Sequence, residues 1–150
     1  MMRWFESPRP DKRRKSSPAR LAKPVEPRDL TSRERGLLSL LLDRASFDGA
    51  RELAAQVAKT RVAGGFPTLL DLDVPKTAPA SLYKPRRIPL RALVHSPGGE
   101  LLGEILVWVR DGYLSALEYA WYTDDAPSEM PPLDHLRVEE NHPEAPPTGV

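Results

Sequence analysis

The sequence predicts an α+β domain of two N-terminal helices packed on a four- to five-stranded, mainly antiparallel sheet, with flexible tails. The strand-type runs within Ile88–Thr123 are joined by the turn sequences Ser96–Gly99 and Asp111-Gly112. A helix-type pattern precedes them, beginning at Thr31. The 17 prolines concentrate at the ends, with five in residues 1–28 and six in residues 127–150. The ordered body therefore lies between two proline-rich tails.

Charge divides the chain into three segments. We expect residues 1–29 to form a disordered, basic, proline-rich arm, residues 30–123 the α+β domain, and residues 124–150 an acidic tail packed partly on the domain. Residues 1–30 contain nine Lys or Arg against four acids, net +5. Residues 124–150 contain one Arg against seven acids, net −6. The total of +1 therefore hides two tails of opposite sign.

Composition removes several classes of function. The chain has no cysteine, which excludes disulfides, thiolate metal sites and cysteine nucleophiles. It has no apolar run of about 18 residues that could span a bilayer, and its three histidines form no pair at ligand spacing. We therefore expect a cytoplasmic protein without membrane segment, cofactor or metal.

The first helix has a clear start signal. Thr31–Glu34 has the spacing of a capping box, in which the Thr hydroxyl and the Glu carboxylate each accept a hydrogen bond from a free backbone amide. An apolar stripe follows, and the helix is expected to end near Arg44. The stripe consists of Leu37, Leu38, Leu41 and Leu42.

A second helix and a hairpin follow. Ala50–Lys59 is predicted to be a shorter helix that packs through its small and apolar face. Thr60–Ala63 and Thr68–Val74 are predicted strands, separated by a break at Gly64–Pro67. The alternation in the second strand places its two aspartates on one face.

The register of the next hairpin follows from its loop. If Ser96–Gly99 is a four-residue loop, Arg91 lies opposite Glu104 and His95 opposite Glu100 on the outward face. Arg91 with Glu104 is a pair of opposite charges, and His95 with Glu100 is one when the histidine is protonated. Such pairs agree with this strand register. The pairs expected on the core face are Ile88 with Val107, Leu90 with Ile105, Ala92 with Gly103, and Val94 with Leu101.

The Asp-Gly turn admits two registers. A two-residue turn pairs Arg110 with Tyr113 and places Glu118 among core residues. A turn with a glycine bulge pairs Val109 with Tyr113, and it brings Glu118 opposite Glu104. We favour the bulge because it sends the large apolar residues of the last strand inward, namely Leu117, Tyr119 and Trp121.

The favoured register makes a polar row of Arg91, Glu104 and Glu118 across three strands. Neighbouring carboxylates can work as an acid and a base when their environments separate their pKa values. The alternative is structural, since Arg91 can bridge two outward glutamates on a solvated face. The row supplies the candidate catalytic residues, and the structural alternative is favoured.

The same face carries more apolar residues than plain solvent exposure explains. Leu106, Trp108, Leu114 and Tyr122 are predicted to share it, which suggests an anchor surface for a protein partner. We favour cover by the chain itself over a partner. Apolar residues of the C-terminal segment could lie across this face, namely Met130, Leu133, Leu136 and Val138.

The N-terminal arm carries a cluster of bases that could neutralise phosphates on DNA or RNA. The predicted nucleic-acid-binding residues are Lys12, Arg13, Arg14, Lys15 and Arg20. Such contacts add salt-dependent affinity without reading a sequence. The alternative is a solvated tail, as most charge runs are.

The segment Asp111–Glu118, followed by Asp124–Pro127, resembles the closing hairpin of small uncharacterised α+β proteins common in actinobacteria. The resemblance covers Leu30–Val138 and implies a helical pair before an antiparallel sheet. It implies no activity for any residue. Related chains often have cysteines where this one has Val62–Pro67, so the resemblance implies no metal role here.

Three functions follow, in order of preference. The first is a non-enzymatic protein-binding accessory or immunity-type factor that uses the aromatic sheet face and the acidic tail. The second is a nucleic-acid-associated protein that uses the basic arm. The third is a carboxylate-dependent hydrolase.

Overall fold

A computed structural model describes residues 23–140 as an α+β fold with two helices and a seven-stranded antiparallel sheet. The sheet order is β1-β2-β3-β6-β5-β4-β7. None of the helices in this range has the length and apolar content needed to cross a membrane. In chain order the elements are β1 (Arg28–Asp29), α1 (Ser32–Leu42), α2 (Ala50–Gln56), a 3₁₀ turn (Val57–Lys59), β2 (Arg61–Phe66), β3 (Leu69–Asp73), β4 (Leu90–His95), β5 (Leu101–Arg110), β6 (Tyr113–Trp121), a second 3₁₀ turn (Leu133–His135) and β7 (Leu136–Glu140).

The prediction of four to five strands was too low because the segments assigned to the tails contribute a strand at each end of the sheet. Arg28–Asp29 pairs antiparallel with β2, and Leu136–Glu140 pairs antiparallel with β4. Both segments are short and highly charged: Arg28-Asp29 has no apolar residue, and Leu136–Glu140 has only two, Leu136 and Val138, alternating with charged ones. Their backbone groups pair with β2, whose Val62 is buried, and with β4, which is mostly buried. The rest of the predicted tails, residues 1–22 and 141–150, lies outside the described residues.

The predicted capping box of α1 is confirmed. The Glu34 amide donates to Thr31 Oγ1 at 3.1 Å, and the Thr31 amide donates to Glu34 Oε1 at 2.9 Å. Arg28 adds two hydrogen bonds of 2.8 Å to the Glu34 carboxylate. The start of α1 is therefore joined to the sheet edge by one buried carboxylate.

Both helices lie on one face of the sheet and form the core with it. Leu37, Leu38 and Leu41 of α1 and Leu53 of α2 are fully buried. Complete burial of each such side chain contributes about 1.5–3 kcal/mol relative to exposure. Sheet residues in this core include Leu70, Ile105, Leu114, Leu117, Tyr119 and Trp121.

One buried amide fixes the Asp-Gly turn to α2. The Gln56 side chain is fully buried, and its Nε2 donates to the carbonyls of Pro79 and Gly112, each at 2.9 Å. Its Oε1 accepts from the Leu114 amide at 2.9 Å. One side chain thereby satisfies the Pro79 carbonyl and the Leu114 amide, and it adds a second donor to the Gly112 carbonyl, which also accepts from the Ser81 amide at 2.8 Å.

The favoured register of the last hairpin was wrong. Asp111 and Gly112 both have positive φ, 53° and 85°, which gives a two-residue turn that pairs Arg110 with Tyr113. The bulge comes later, because Val109 pairs with Leu114 but Trp108 pairs with Ala116. Because of this extra residue, the side chains of β6 after the bulge point to the faces that were predicted for them. Leu117, Tyr119 and Trp121 are therefore buried on the helix side, as expected.

The β4–β5 hairpin also differs from its predicted register by two residues. Its loop contains Ser96–Glu100, since the Ser96 amide donates to the Glu100 carbonyl at 2.8 Å and His95 pairs with Leu101. Leu93, not Arg91, therefore lies directly opposite Glu104. A shift of two residues preserves the faces, so the predicted core residues of β4 and β5 are buried except Leu101 at the loop.

The turn between β2 and β3 lies later than predicted. Gly64 and Gly65 belong to β2, and the chain reverses at Pro67-Thr68. Gly65 has φ 102°, and a Cβ there would lie 2.3 Å from the Leu69 carbonyl oxygen. The glycine pair therefore permits a close strand pairing and does not form the break.

Candidate functional site

The sheet face turned away from the helices, which we call the outer face, presents a mixed apolar and charged surface. Strand alternation positions its side chains, because every second residue of each strand points to this side. Phe66, Leu69, Glu118 and Leu106 are successive cross-strand neighbours on β2, β3, β6 and β5. Further along, Arg91 of β4 is opposite Glu139 of β7. The outer face therefore continues across six strands.

Glu104 is the centre of a hydrogen-bonded network on this face. Arg91 Nη1 donates to its Oε1 at 3.0 Å, and the Tyr122 hydroxyl donates to its Oε2 at 2.7 Å. The Glu104 side chain is 13% exposed. Both carboxylate oxygens thus have strong donors within a largely water-excluded site, an arrangement that stabilises a buried charge.

Arg91 joins Glu104 to the last strand. Its Nη2 donates to Glu139 Oε1 at 3.3 Å, while Arg137 Nη2 reaches Glu139 Oε2 at 3.4 Å. Burial lowers the pKa of Arg91, but the hydrogen bond and charge of Glu104 outweigh it and the net pKa is raised. Its Nε is buried without a hydrogen-bond partner among residues 23–140. The guanidinium is therefore held by its two terminal nitrogens alone.

Glu118 belongs to a different contact. Trp108 Nε1 donates to Glu118 Oε1 at 2.9 Å, and Arg87 lies over the Trp108 ring at 5.8 Å from its centroid. Glu118 is opposite Leu106, whereas Glu104 is opposite Ala120. The predicted contact between Arg91 and Glu104 is present, but the predicted pairing of Glu104 with Glu118 is wrong because the late bulge shifts β6 by two residues.

The four predicted partner-binding residues divide between the two sides of the sheet. Trp108 and Tyr122 lie half-buried on the outer face. Leu106 shares that face but is only 6% exposed. The prediction for Leu114 was wrong: this residue precedes the bulge, packs in the helix-side core and is 2% exposed.

Sequence reasoning missed two of the most exposed apolar residues of the outer face. Phe66 is 47% exposed and Leu69 is 41% exposed, and the two are cross-strand partners. The signal for Leu69 was available, because it alternates with the buried Leu70 and shares a face with Asp71. Its proximity to Glu118 depends on the pairing of β3 with β6, which is distant in sequence.

Two further expectations concern nucleic-acid binding and metal binding. The basic residues from Lys12 to Arg20 lie outside the range 23–140. Within that range no group of three or more His, Asp or Glu side chains is arranged to hold a metal ion.

Comparison with known proteins provides no functional residue. No protein-family model, curated protein or solved structure matches the chain significantly. The resemblance to actinobacterial α+β proteins therefore remains a prediction, and any functional proposal depends on the outer face itself.

Proposed function

We propose that the protein is a non-enzymatic protein-binding factor, of accessory or immunity type, whose partner docks on the outer face. The single observation that carries the proposal is the exposure of Phe66 and Leu69 beside the half-buried aromatic Trp108 and Tyr122 on one sheet face. Aromatic and large apolar residues surrounded by polar ones are typical of the anchor regions of protein interfaces.

Within residues 23–140 the helices and the C-terminal segment leave Phe66 and Leu69 exposed, whereas Leu93, Leu106 and Ala120 at the centre of the outer face are buried. Met130 is buried in the helix-side core, and its carbonyl accepts a hydrogen bond of 2.9 Å from Arg33 of α1. The C-terminal segment then joins the edge of the sheet as β7. The expectation that this segment lies across the outer face is therefore wrong, and the need for another cover supports a partner.

The charges of the outer face favour a protein over a nucleic acid as the partner. Arg91 is neutralised by Glu104 and Glu139, and Arg137 also lies within ion-pair distance of Glu139. A nucleic-acid surface requires an excess of positive charge to neutralise phosphates. A balanced set of charges around apolar anchors instead suits a protein surface of mixed character.

Acidic residues at the border of the face suggest the chemistry of that surface. Asp71 and Asp73 are exposed on the outer side of β3. Asp124 and Asp125 are exposed and follow Tyr122 at the far end of β6. We therefore propose a partner with an apolar centre and a basic rim, complementary to these carboxylates.

Capture from the native host under nuclease treatment and high salt tests the proposal. The full-length tagged chain is compared with the double variant Phe66→Ser/Leu69→Ser and with the control Leu82→Ser, which alters an 80% exposed leucine in the β3–β4 connection. We expect one stoichiometric protein with the wild type and the control, and its loss with the double variant. Equal capture by all three folded proteins would contradict docking on the outer face.

The other two functions remain predictions. If the arm residues Lys12–Lys15 bind nucleic acid, nucleic acid should co-purify at low salt and should be lost when residues 1–22 are deleted. Glu104 and Glu118 accept hydrogen bonds from different donors, so no observation favours a shared hydrolytic role.

A further inference from the structure

The strand β7 has a free edge within the described part of the chain. It is the last strand in the sheet order, and Leu136–Glu139 pair with β4 and with no other strand of residues 23–140. The backbone amides and carbonyls on its other side are therefore directed away from the sheet. An unpaired edge of this kind is a template for the addition of another strand.

The charged side chains of β7 on the outer face form a pattern that is complementary to itself. Arg137 and Glu139 lie on the outer face, opposite Leu93 and Arg91, and Val138 lies between them on the helix side. If a second β7 runs antiparallel with the two Val138 residues opposite each other, Arg137 of each copy faces Glu139 of the other. Directly opposite unlike charges stabilise a strand pair by about 0.2–1 kcal/mol each.

The same charges disfavour the neighbouring registers. Sliding the second strand by two residues in one direction places Arg137 opposite Arg137, and sliding it in the other direction places Glu139 opposite Glu139. Like charges directly opposite destabilise a strand pair. The charge pattern therefore selects one register of self-pairing and also discourages addition of an unrelated strand.

We propose that a second copy of this chain binds at the β7 edge, antiparallel and with its two-fold axis at Val138, so that two seven-stranded sheets become one continuous sheet. Such an interface is isologous, because each copy contributes the same residues. It leaves the outer face of both copies open, so the proposal is independent of the function proposed above. Each dimer would then present two outer faces on the same side of the joined sheet.

The expected dimer is weak. A five-residue strand edge is small compared with stable specific interfaces, which bury about 1,200–2,000 Å² in total. Dimerisation should therefore depend on protein concentration, and it should be measured on the full-length chain by sedimentation equilibrium over a wide concentration range.

Two charge reversals test both the edge and the register. In a dimer of Arg137→Glu, the new carboxylate of one copy would face Glu139 of the other copy. In a dimer of Glu139→Arg, the new guanidinium group would face Arg137 of the other copy. We expect each variant alone to be monomeric at concentrations where the wild type is dimeric. A mixture of the two variants restores unlike pairs on both sides of the axis, so the mixture should form heterodimers. Arg110→Glu, the same reversal at the exposed end of β5, is the control and should dimerise like the wild type.

A cross-link provides a second test that does not depend on Glu139, which also contacts Arg91. Because the chain has no cysteine, Val138→Cys introduces one thiol that the two-fold axis places directly opposite its copy, within the reach of a disulfide. We expect a covalent dimer on mild oxidation, and little from the more exposed control Leu82→Cys. A wild type that is monomeric throughout, a mixture of folded charge variants that stays monomeric, or equal cross-linking of the two cysteine variants would overturn the proposal.

Discussion

Tyr122 and Glu104 are joined by a 2.7 Å hydrogen bond from the phenolic hydroxyl to Oε2. Arg91 occupies the other carboxylate oxygen. Tyr122 follows directly after β6, and its amide donates to the Leu102 carbonyl at 2.8 Å. The contact therefore ties the end of β6 to the middle of β5 on the outer face.

Tyr122→Phe removes this hydrogen bond and leaves Glu104 Oε2 without its donor. We expect the free energy of unfolding to fall by about 1.5 kcal/mol, the lower end of the range for bonds to charged groups, because the ring is half exposed. Urea denaturation measures the change. Tyr113→Phe is the matched control, since its hydroxyl makes only bonds of 3.3 Å, and a larger loss there would contradict the account.

Gln56→Leu tests the amide that connects α2 to the Asp-Gly turn. The substitution keeps an apolar volume but leaves the Leu114 amide and the Pro79 carbonyl without their side-chain partner, while the Gly112 carbonyl keeps the Ser81 amide. We expect a loss of about 3 kcal/mol in unfolding free energy and faster hydrogen exchange at Leu114. Ala55→Leu introduces the same residue at the exposed neighbouring position, and it should change stability by less than about 0.5 kcal/mol.

Gly103→Ala tests the close approach of β5 to β6. A Cβ at Gly103 would lie 2.4 Å from the Ala120 carbonyl oxygen and 2.9 Å from the Tyr119 ring. The strands must separate to admit it, so we expect destabilisation of about 1–3 kcal/mol in thermal or urea unfolding. Gly98→Ala is the control: its nearest heavy atom would be 3.8 Å away, and unchanged or slightly raised stability is expected there.

Glu34 should make the protein sensitive to acid. Burial raises the pKa of Glu34, but the hydrogen bonds from Arg28 and the Thr31 amide outweigh it, and the net pKa is lowered. The folded state then binds the proton less tightly than the unfolded state. The stabilisation is present above the unfolded pKa of about 4.3 and is lost as the pH falls through the lower folded value.

The comparison of wild type with Glu34→Gln isolates this effect. We expect the variant to be less stable by about 2 kcal/mol at neutral pH, because it loses a charged cap and its pair with Arg28. The difference should shrink in acid, where Glu34 of the wild type is protonated. Urea midpoints at neutral and acidic pH measure it, and a difference that is constant with pH would exclude the proposed role of the carboxylate.

The parts of the fold that local sequence signals determine were predictable. The Thr31–Glu34 capping box and the leucine stripe of α1 depend on residues within four positions of each other, and both are present. The inward faces of β4, β5 and β6 were also predicted, because errors of two residues in register do not exchange the faces of a strand.

The parts that depend on distant pairing were not predictable. The bulge after Leu114 coincides with the hydrogen bond from its amide to Gln56, a residue 58 positions earlier in the chain. β7 pairs with the distant strand β4, and its short alternation of Leu136 and Val138 with charged residues was missed because the segment was assigned to the acidic tail. The predicted pairing of Glu118 with Glu104 was wrong for the same reason. Glu118 follows the bulge, and it therefore contacts Trp108 and not Glu104.

Hydrogen exchange of the captured complex tests the central claim most directly, that a protein partner docks on the outer face. We predict slower exchange, on partner binding, in Phe66–Asp71 and Leu102–Trp108, and little change in α1 and α2. Protection confined to the helices, with unchanged exchange across β2, β3 and β5, would contradict the claim.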